Sequence, residues 1–340
     1  MDPAHLTSQL AGKEASRSPR VSVALCTYNG AAFVSPQLES LLEQTRLPDE
    51  LVVFDDASSD STFALLEEFA RRAPFPVRVT RNSRNLGSTA NFAKAIGSCN
   101  GDFILTCDQD DVWLPEKIAL TIESFEENPC LGLVFSDAEV VDEHLRSRGY
   151  RLWESAHFGK RQQRLVRKDR TFALLLRQWV VTGATMAFRS TYRPFVLPIP
   201  SVWVHDAWIA LVIAALAPVG LIERPTVLYR QHAGQQIGST LLSRREMLHR
   251  ARRTGPAEYR LELERFLLAA ERLGDPSMPL RELGAAASMS GKVAHQALRL
   301  AISEDRSRPS RAWLALRELV RGGYTRYSPR TTHVVKDMFL

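Results

Sequence analysis

The sequence predicts an α/β protein, a mostly parallel sheet flanked by helices and followed by a C-terminal helical extension, and three observations predict it. Short β-rich runs at residues 21–25, 51–54, 77–79, 103–106 and 131–135 begin 30, 26, 26 and 28 residues apart. Segments of helical period lie between them, at 37–44, 62–71, 89–96 and 116–126. Connections of that length hold a helix, and strands joined by helical crossovers run parallel with both faces covered. From residue 241 onward the pattern is helical: 258–273 has apolar residues at 259, 261, 263, 266, 267 and 268, and 283–302 is rich in Ala and Leu.

Start signals support the individual elements. Ser35 and Pro36 read as the N-cap and first residue of the first helix, because an N–H is not needed there. Leu114-Pro115-Glu116 likewise puts a proline in the first turn of the helix after the fourth strand. Past residue 145 the alternation weakens into a basic connector, then revives at 179–188, in the apolar stretch 207–222 and at 226–229. That stretch is sixteen residues long and interrupted by Pro218, short of the roughly 20 a spanning helix needs, so it reads as a buried helix. The expected organisation is a loose tail over 1–19, one α/β domain over 20–240 with its boundary at Gly238-Ser239, and a basic helical region over 241–340.

Composition narrows the function classes. At 340 residues, 45% hydrophobic and 24% charged, the chain has room for about two domains and excludes disordered, collagenous and disulfide-stapled proteins. Cysteines at 26, 99, 107 and 130 show no CxxC spacing, against a zinc ribbon or a secreted disulfide framework and for a reducing, cytoplasmic setting. Asp2, Lys13, Glu14, Arg17 and Arg20 stand where a secretory leader would be apolar. The formal charge of +6 is uneven, with 19 Lys and Arg against 11 Asp and Glu in residues 241–340. Residues 146–177 add ten Lys and Arg against Glu154 and Asp169. Such runs are solvated faces, contacts with an anionic membrane surface, or nucleic-acid sites. The aromatic interleaving of an RNA-binding sheet is missing, so no nucleic-acid partner is expected. Peripheral contact with the inner face of the plasma membrane and homo-oligomer formation through the same helices are both open.

Polar residues cluster where each strand ends, and in open α/β sheets ligands bind beyond those ends. After the first strand comes Cys26-Thr27-Tyr28-Asn29-Gly30, whose hydroxyl, amide and glycine suit a planar base. After the second comes Asp55-Asp56-Ala57-Ser58-Ser59-Asp60-Ser61-Thr62; helix capping accounts for Asp60 or Ser61 but not for two adjacent carboxylates. The fourth leads into Cys107-Asp108-Gln109-Asp110-Asp111. Three carboxylates within four residues raise one another's pKa, and a hard divalent cation, Mg2+ or Mn2+, would neutralise them.

These motifs, together with Asn85-Leu86-Gly87 and Asn91, resemble the successive motifs of family 2 glycosyltransferases. Downstream, Gly183-Ala184-Thr185-Met186, His205-Asp206-Ala207-Trp208 and Leu228-Tyr229-Arg230-Gln231-His232 are similar to the rhamnosyltransferase-like branch of bacterial envelope polysaccharide enzymes. The resemblance covers about residues 20–240. It implies a GT-A fold, Rossmann-like, and metal-dependent, inverting transfer of one sugar from a UDP- or dTDP-sugar, dTDP-rhamnose among them, to a saccharide or lipid-linked acceptor. By the same resemblance Thr27, Tyr28, Asn29 and Asp56 hold the base and ribose, and Asp56 accepts from a ring N–H. Asn85 and Gly87 belong to a loop over the donor. Asp108 and Asp110 form a metal-bearing DxD pair, and Asp111 orients the donor sugar. Arg230 reaches the diphosphate, His232 the diphosphate or the ion. Asp206 is the catalytic base, at a helix start that suits a negative charge; the bland reading is an N-cap, and His205 is an adjacent substitute. Trp203 or Trp208 would face the acceptor, although scattered tryptophans are ordinarily core.

The processive branch's Gln-x-x-Arg-Trp signature is absent, so a single transfer is expected. Two alternatives stand beside it. Asp108-Gln109-Asp110-Asp111-Val112 also satisfies the nucleophile pattern of haloacid-dehalogenase-type phosphatases, and a non-catalytic nucleotide-binding protein could share the fold.

Overall fold

The computed structural model describes residues 18–232, 255–281, 284–329 and 333–339. They fall into two compact units, one of residues up to 169 and from 180 to 239, the other of residues 170–179 and 240–340. The expected boundary at Gly238-Ser239 and most of the expected N-terminal tail lie outside the described residues.

The first unit is built on one sheet. Its elements begin with β1 (Val21–Thr27), α1 (Val34–Leu42), β2 (Glu50–Asp55), α2 (Thr62–Arg72), β3 (Val77–Arg81), α3 (Ser88–Ser98) and β4 (Phe103–Asp108). They continue with β5 (Val112–Trp113), α4 (Lys117–Glu127), β6 (Leu133–Val141), β7 (Ser147–Arg151), α5 (Leu152–Ser155) and α6 (Lys160–Arg167). A short helix of the second unit, α7 (Thr171–Leu175), precedes β8 (Met186–Arg189), α8 (Arg193–Val196), α9 (His205–Leu216) and β9 (Val219–Arg230). Among the described residues the strands run in the order β3-β2-β1-β4-β8-β6-β9-β5, with β7 on β6.

The expected strands form where the apolar runs are, and the βα crossovers make β3, β2, β1 and β4 parallel. β1 and β2 are buried along their whole length, as central strands covered on both faces must be. The edge strand β3 is half exposed and carries Arg78 and Arg81, charges that discourage edge-to-edge pairing. β8 departs from the parallel expectation. It enters between β4 and β6 antiparallel to both, and the chain reaches it from β6 by way of β7 and the helices α5, α6 and α7.

Three local expectations are corrected. α1 starts at Val34 because Gly30 O accepts the N–H groups of Phe33 and Val34, which makes Phe33 the N-cap and leaves Ser35 and Pro36 inside the first turn. Pro115 stands just before α4, whose N-cap is Glu116. The apolar stretch 207–222 is a helix followed by a strand. α9 ends at Leu216, Ala217 is extended, and the run enters β9 at Val219. Pro218 has no N–H to continue the helix. In α9 every residue except Asp206 is buried, so the helix is a core element. Among the described residues no helix is long and apolar enough to cross a membrane. The basic connector proves structured, contributing β7, α5 and α6 to the first unit.

The second unit consists of helices. α10 (Pro256–Gly274), α11 (Ala285–Glu304), α12 (Arg308–Val320), α13 (Gly323–Tyr327) and α14 (His333–Phe339) follow α7. Ile302, Ala315, Tyr324 and Val334 form a small core supported by Leu298, Leu314, Leu319 and Met338. At its centre Asp337 accepts from Tyr259 Oη at 2.8 Å, Tyr324 Oη at 2.7 Å and Arg299 Nε at 2.6 Å. Burial raises the carboxyl pKa, but these donors outweigh it and hold Asp337 below its ordinary range.

Lys292 in α11 is buried, donates to Tyr327 O at 2.8 Å and lies over the Phe266 ring; burial pushes its pKa down to about 7. Between that value and an ordinary unfolded lysine near 10.5 the unfolded chain binds more protons. Stability should therefore rise with pH from about 7 toward about 10 and stay flat below. Melting temperatures of the wild type should show that rise, and Lys292→Met should remove it.

Candidate active site

The parallel register levels the carboxyl ends of the central strands. Cys26 is paired with Phe54 on one side and with Asp108 on the other, and Thr27 with Asp55. The loops that follow β1, β2 and β4 therefore open at one end of the sheet, beyond the strand ends where such folds bind ligands.

The pair Asp55 and Asp56 has a structural use that the sequence does not reveal. Asp55 accepts from Thr27 Oγ1 at 2.9 Å and from the Ser58 N–H at 3.0 Å, tying β1 to the turn after β2. Asp56 accepts from Asn82 Nδ2 at 2.8 Å, from the Leu86 N–H with both oxygens, and from the Gly87 N–H at 2.9 Å. Each of its carboxylate oxygens is thus doubly used, and a carboxylate offers about four acceptor sites. Asp56 anchors the loop 82–87 instead of presenting itself to a base, and Thr27 is buried beneath it. Asn85 Oδ1 accepts from the Gly87 N–H at 3.0 Å. Gly87 has φ of 85°, which only glycine adopts freely, and it starts α3. Asn29, itself at φ 45°, accepts from the Ser59 N–H at 2.8 Å. Tyr28 is exposed, and the Gln109 side chain brackets its backbone, accepting from its N–H at 2.8 Å and donating to its carbonyl at 3.0 Å.

The acidic motif after β4 divides into groups with different fates. Asp111 is buried; Oδ1 accepts the Arg230 N–H at 2.9 Å, and among the described residues Oδ2 has no partner. Burial, then Asp110 and Asp108, push its pKa well up, and its engaged oxygen holds the backbone of β9, where the sequence reading has it orient a donor sugar. Arg230 is buried as well. Its guanidinium donates to the Asp110 carbonyl at 2.6 Å and the Glu143 carbonyl at 2.9 Å and lies over Phe33. It braces the acidic loop through the backbone, where the sequence reading has it reach a diphosphate. Asp110 Oδ2 lies 2.9 Å from His232 Nε2, and the His232 ring packs on Phe33 with centroids 4.2 Å apart. Asp108 is pushed up to about 8 by burial, then by the charges of Asp110 and Asp206, while Lys117 pulls it down.

Asp206 reaches this cluster from α9. Gly183 donates its N–H to Asp206 Oδ2 at 2.9 Å, and Gly183 O accepts from Thr106 Oγ1 of β4 at 2.6 Å. Asp206 stands in the first turn, where its Oδ1 accepts the Ala207 N–H at 2.6 Å; the N-cap position itself is Val204, which has no capping side chain. The carboxylates of Asp108, Asp110, Asp111 and Asp206 all raise the Tyr229 hydroxyl, and those of Asp108 and Asp56 both raise the Cys26 thiol. One end of the sheet therefore gathers them all. Among the described residues no three His, Cys, Asp or Glu side chains form a ready metal cage.

His205 is buried, stacks on Phe92 with centroids 3.8 Å apart, and has no partner for either ring nitrogen among the described residues. Burial lowers its pKa, which fits a packing group more than a base. Trp203 and Trp208 are core residues packed on each other, with Trp208 Nε1 donating to Val196 O. Sequence reasoning misses Lys117, Gln109 and Phe33. Lys117 is buried, donates to Ala184 O at 3.0 Å, and is lowered to about 8 by burial against the pull of Cys107, Asp111 and Asp108. Its signal is its place on the buried stripe of α4 with Ile118, Thr121, Ile122 and Phe125.

Residues 22–187 match glycosyl transferase family 2, so the first unit carries a domain of that family. RfbG of Shigella flexneri, a dTDP-rhamnosyl transferase, is 25% identical over 233 residues, covering 64% of this chain and 74% of that protein. The chondroitin synthase of Escherichia coli is 29% identical over 136 residues, 39% of this chain and 20% of that one. An uncharacterised protein of Mycobacterium bovis is 28% identical over 125 residues, so the chain spans about a third of its length, 36%. Among solved structures, Staphylococcus aureus TarS 1–349 in complex with UDP-GlcNAc has a TM-score of 0.59 at 15% identity, covering 93% of this chain and 89% of that one. The Pyrobaculum calidifontis mannosyltransferase with GDP-Man and Mn2+ gives 0.52 at 20% identity, covering 99% and 92%. At these identities the likeness concerns the fold, which is of the GT-A kind.

Four substitutions test the architecture. A Cβ on Gly183 would lie 2.7 Å from His205 Nε2, so Gly183→Ala should cost about 1–3 kcal/mol in urea unfolding. Gly97→Ala, in a helix and with nothing nearer than 3.7 Å, should instead gain up to about 1 kcal/mol. Because an amide oxygen can still accept the Arg230 N–H, Asp111→Asn should stay within about 1 kcal/mol of wild type, whereas Asp111→Ala strands that N–H and should cost about 1–3 kcal/mol.

Proposed function

We propose that the first unit transfers one sugar, with inversion, from a nucleoside-diphosphate sugar to a saccharide or lipid-linked acceptor in the synthesis of a bacterial cell-surface polysaccharide. The donor is a UDP- or dTDP-sugar, with dTDP-rhamnose the first to try. Family membership supports the reaction class. The dTDP-rhamnosyl transferase relative and the UDP-GlcNAc bound by TarS support the donor class. The engagement of Asp56 by its own loop removes base reading as an argument for a pyrimidine.

One observation carries the reading: Asp206, steered by the Gly183 N–H, faces the same charged neighbourhood as Asp108 and Asp110, although it comes from a separate helix. A base and a leaving-group site must adjoin in this way for a single displacement. The acceptor hydroxyl gives its proton to Asp206 as its oxygen bonds to the anomeric carbon. The bond from that carbon to the diphosphate oxygen breaks, its electron pair departing with the nucleoside diphosphate, and attack from the opposite side inverts the centre. Arg230 and Lys117 keep the acidic loop in place from below.

The residues fit a Mg2+ or Mn2+ ion, because such ions take one or two carboxylates together with substrate phosphates, and Mn2+ also tolerates an imidazole. Asp108, Asp110 and His232 would hold it, and it would offset the negative charge developing on the departing diphosphate. The phosphatase alternative is disfavoured: Asp108 ends the fourth strand, and the loops after β1 and β2 surround it.

Release of nucleoside diphosphate from UDP- and dTDP-sugars, with saccharide acceptors and Mn2+, checks the proposal. Asp206→Asn should lower turnover by about 10²–10⁴-fold while donor binding persists. Asp110→Asn should weaken metal-dependent donor binding itself. Unchanged turnover in Asp206→Asn would remove the base assignment, and donor binding by a chain that never turns over would favour the non-catalytic alternative.

A further inference from the structure

We infer that α12 lies flat on an anionic lipid surface, so that the second unit is a membrane-docking module. The surface is on the outward face of that helix. Trp313, Leu316 and Val320 recur at intervals of three and four residues and are 59%, 48% and 87% exposed. The opposite face already has its partners, since Ala315, Leu314 and Leu319 fill the small core with Ile302, Tyr324 and Val334. The helix is thus apolar on both sides, with only one side covered. Beside it α14 packs on α12 and exposes Val335 and Phe339, at 54% and 68%. Large apolar side chains gathered on exposed faces of neighbouring helices mark an interaction surface.

Charge selects the occupant. Arg306, Arg321 and Arg326 are exposed around these helices, and the Arg317 guanidinium lies over the Trp313 ring at 4.8 Å. The acids within α12 and α14 themselves are turned inward: Glu318 is held against His295 at 2.7 Å, and Asp337 is enclosed by Arg299 and two tyrosines. An apolar face with tryptophan at its centre and arginines at its margin matches a bilayer boundary, where apolar residues enter the acyl region and cations meet anionic headgroups. A second copy of the chain fits less well, because a two-fold contact would set the arginine margin against itself. At 13 residues the helix is too short to span and lies in the surface plane. The inference is independent of the transfer chemistry.

The test uses the full chain with phosphatidylcholine vesicles containing or lacking phosphatidylglycerol, at low and high salt. Wild type should partition at least tenfold more strongly to the anionic vesicles, with the difference shrinking in high salt. Trp313→Ser with Leu316→Ser should reduce partitioning at least tenfold at an unchanged melting temperature, because both side chains are exposed in the free protein. Trp313→Phe should retain binding and, by difference, show that the blue shift on vesicle addition comes from Trp313. Equal partitioning of the double variant and wild type, or none by wild type, overturns the inference. So does a wild-type dimer in light scattering that the double variant converts to monomer, which would assign the face to self-association.

Discussion

Levelling the ends of parallel strands concentrates negative charge, and the rest of the first unit is arranged around that cost. Each pairing of β1 with β2 and β4 is fixed by backbone hydrogen bonds along fully buried strands, so the polar residues at the strand ends cannot spread apart. The chain answers the repulsion in three ways. Backbone N–H groups and amides absorb Asp55 and Asp56. A buried lysine and a buried arginine lie under the loop after β4. Burial pushes the Asp111 carboxyl up, away from its charged form. Asp108, Asp110 and Asp206 remain as neighbouring acids, a grouping that a cationic or proton-bearing ligand relieves.

The second unit shows the same chemistry resolved differently. Asp337 is buried too, yet two tyrosines and an arginine satisfy both of its oxygens. A buried acid held below its ordinary pKa by a complete set of donors is a structural element. A buried acid pushed to about 8 beside two others is a poised one. That contrast, more than the presence of aspartates, separates the candidate site from the scaffold.

Much of this was legible in advance, and the exceptions have physical causes. Strand positions followed from apolar runs at regular spacing, and the ordered motifs pointed to the family that the comparisons bear out. The antiparallel insertion of β8 was not legible, because four apolar residues read alike in either direction. Nor was the division of 207–222 into helix and strand, since burial on all sides erases the period that distinguishes them. Ser35 failed as a cap because a carbonyl five residues earlier had already accepted the first helical N–H groups.

The sequence by itself determined that acidic residues would follow the second and fourth strands and the start of an apolar helix, because hydropathy period and turn chemistry are local properties. Which of those acids are bound and which are left exposed to a ligand was decided only by the tertiary structure. Asp56 met the amides of a loop 30 residues away, Asp111 met the backbone of β9, and Asp206 met Gly183 beside β4. Hydrogen-bond satisfaction of a carboxylate depends on what the fold brings within 3 Å of it, and that distance is set by chain segments far apart in sequence.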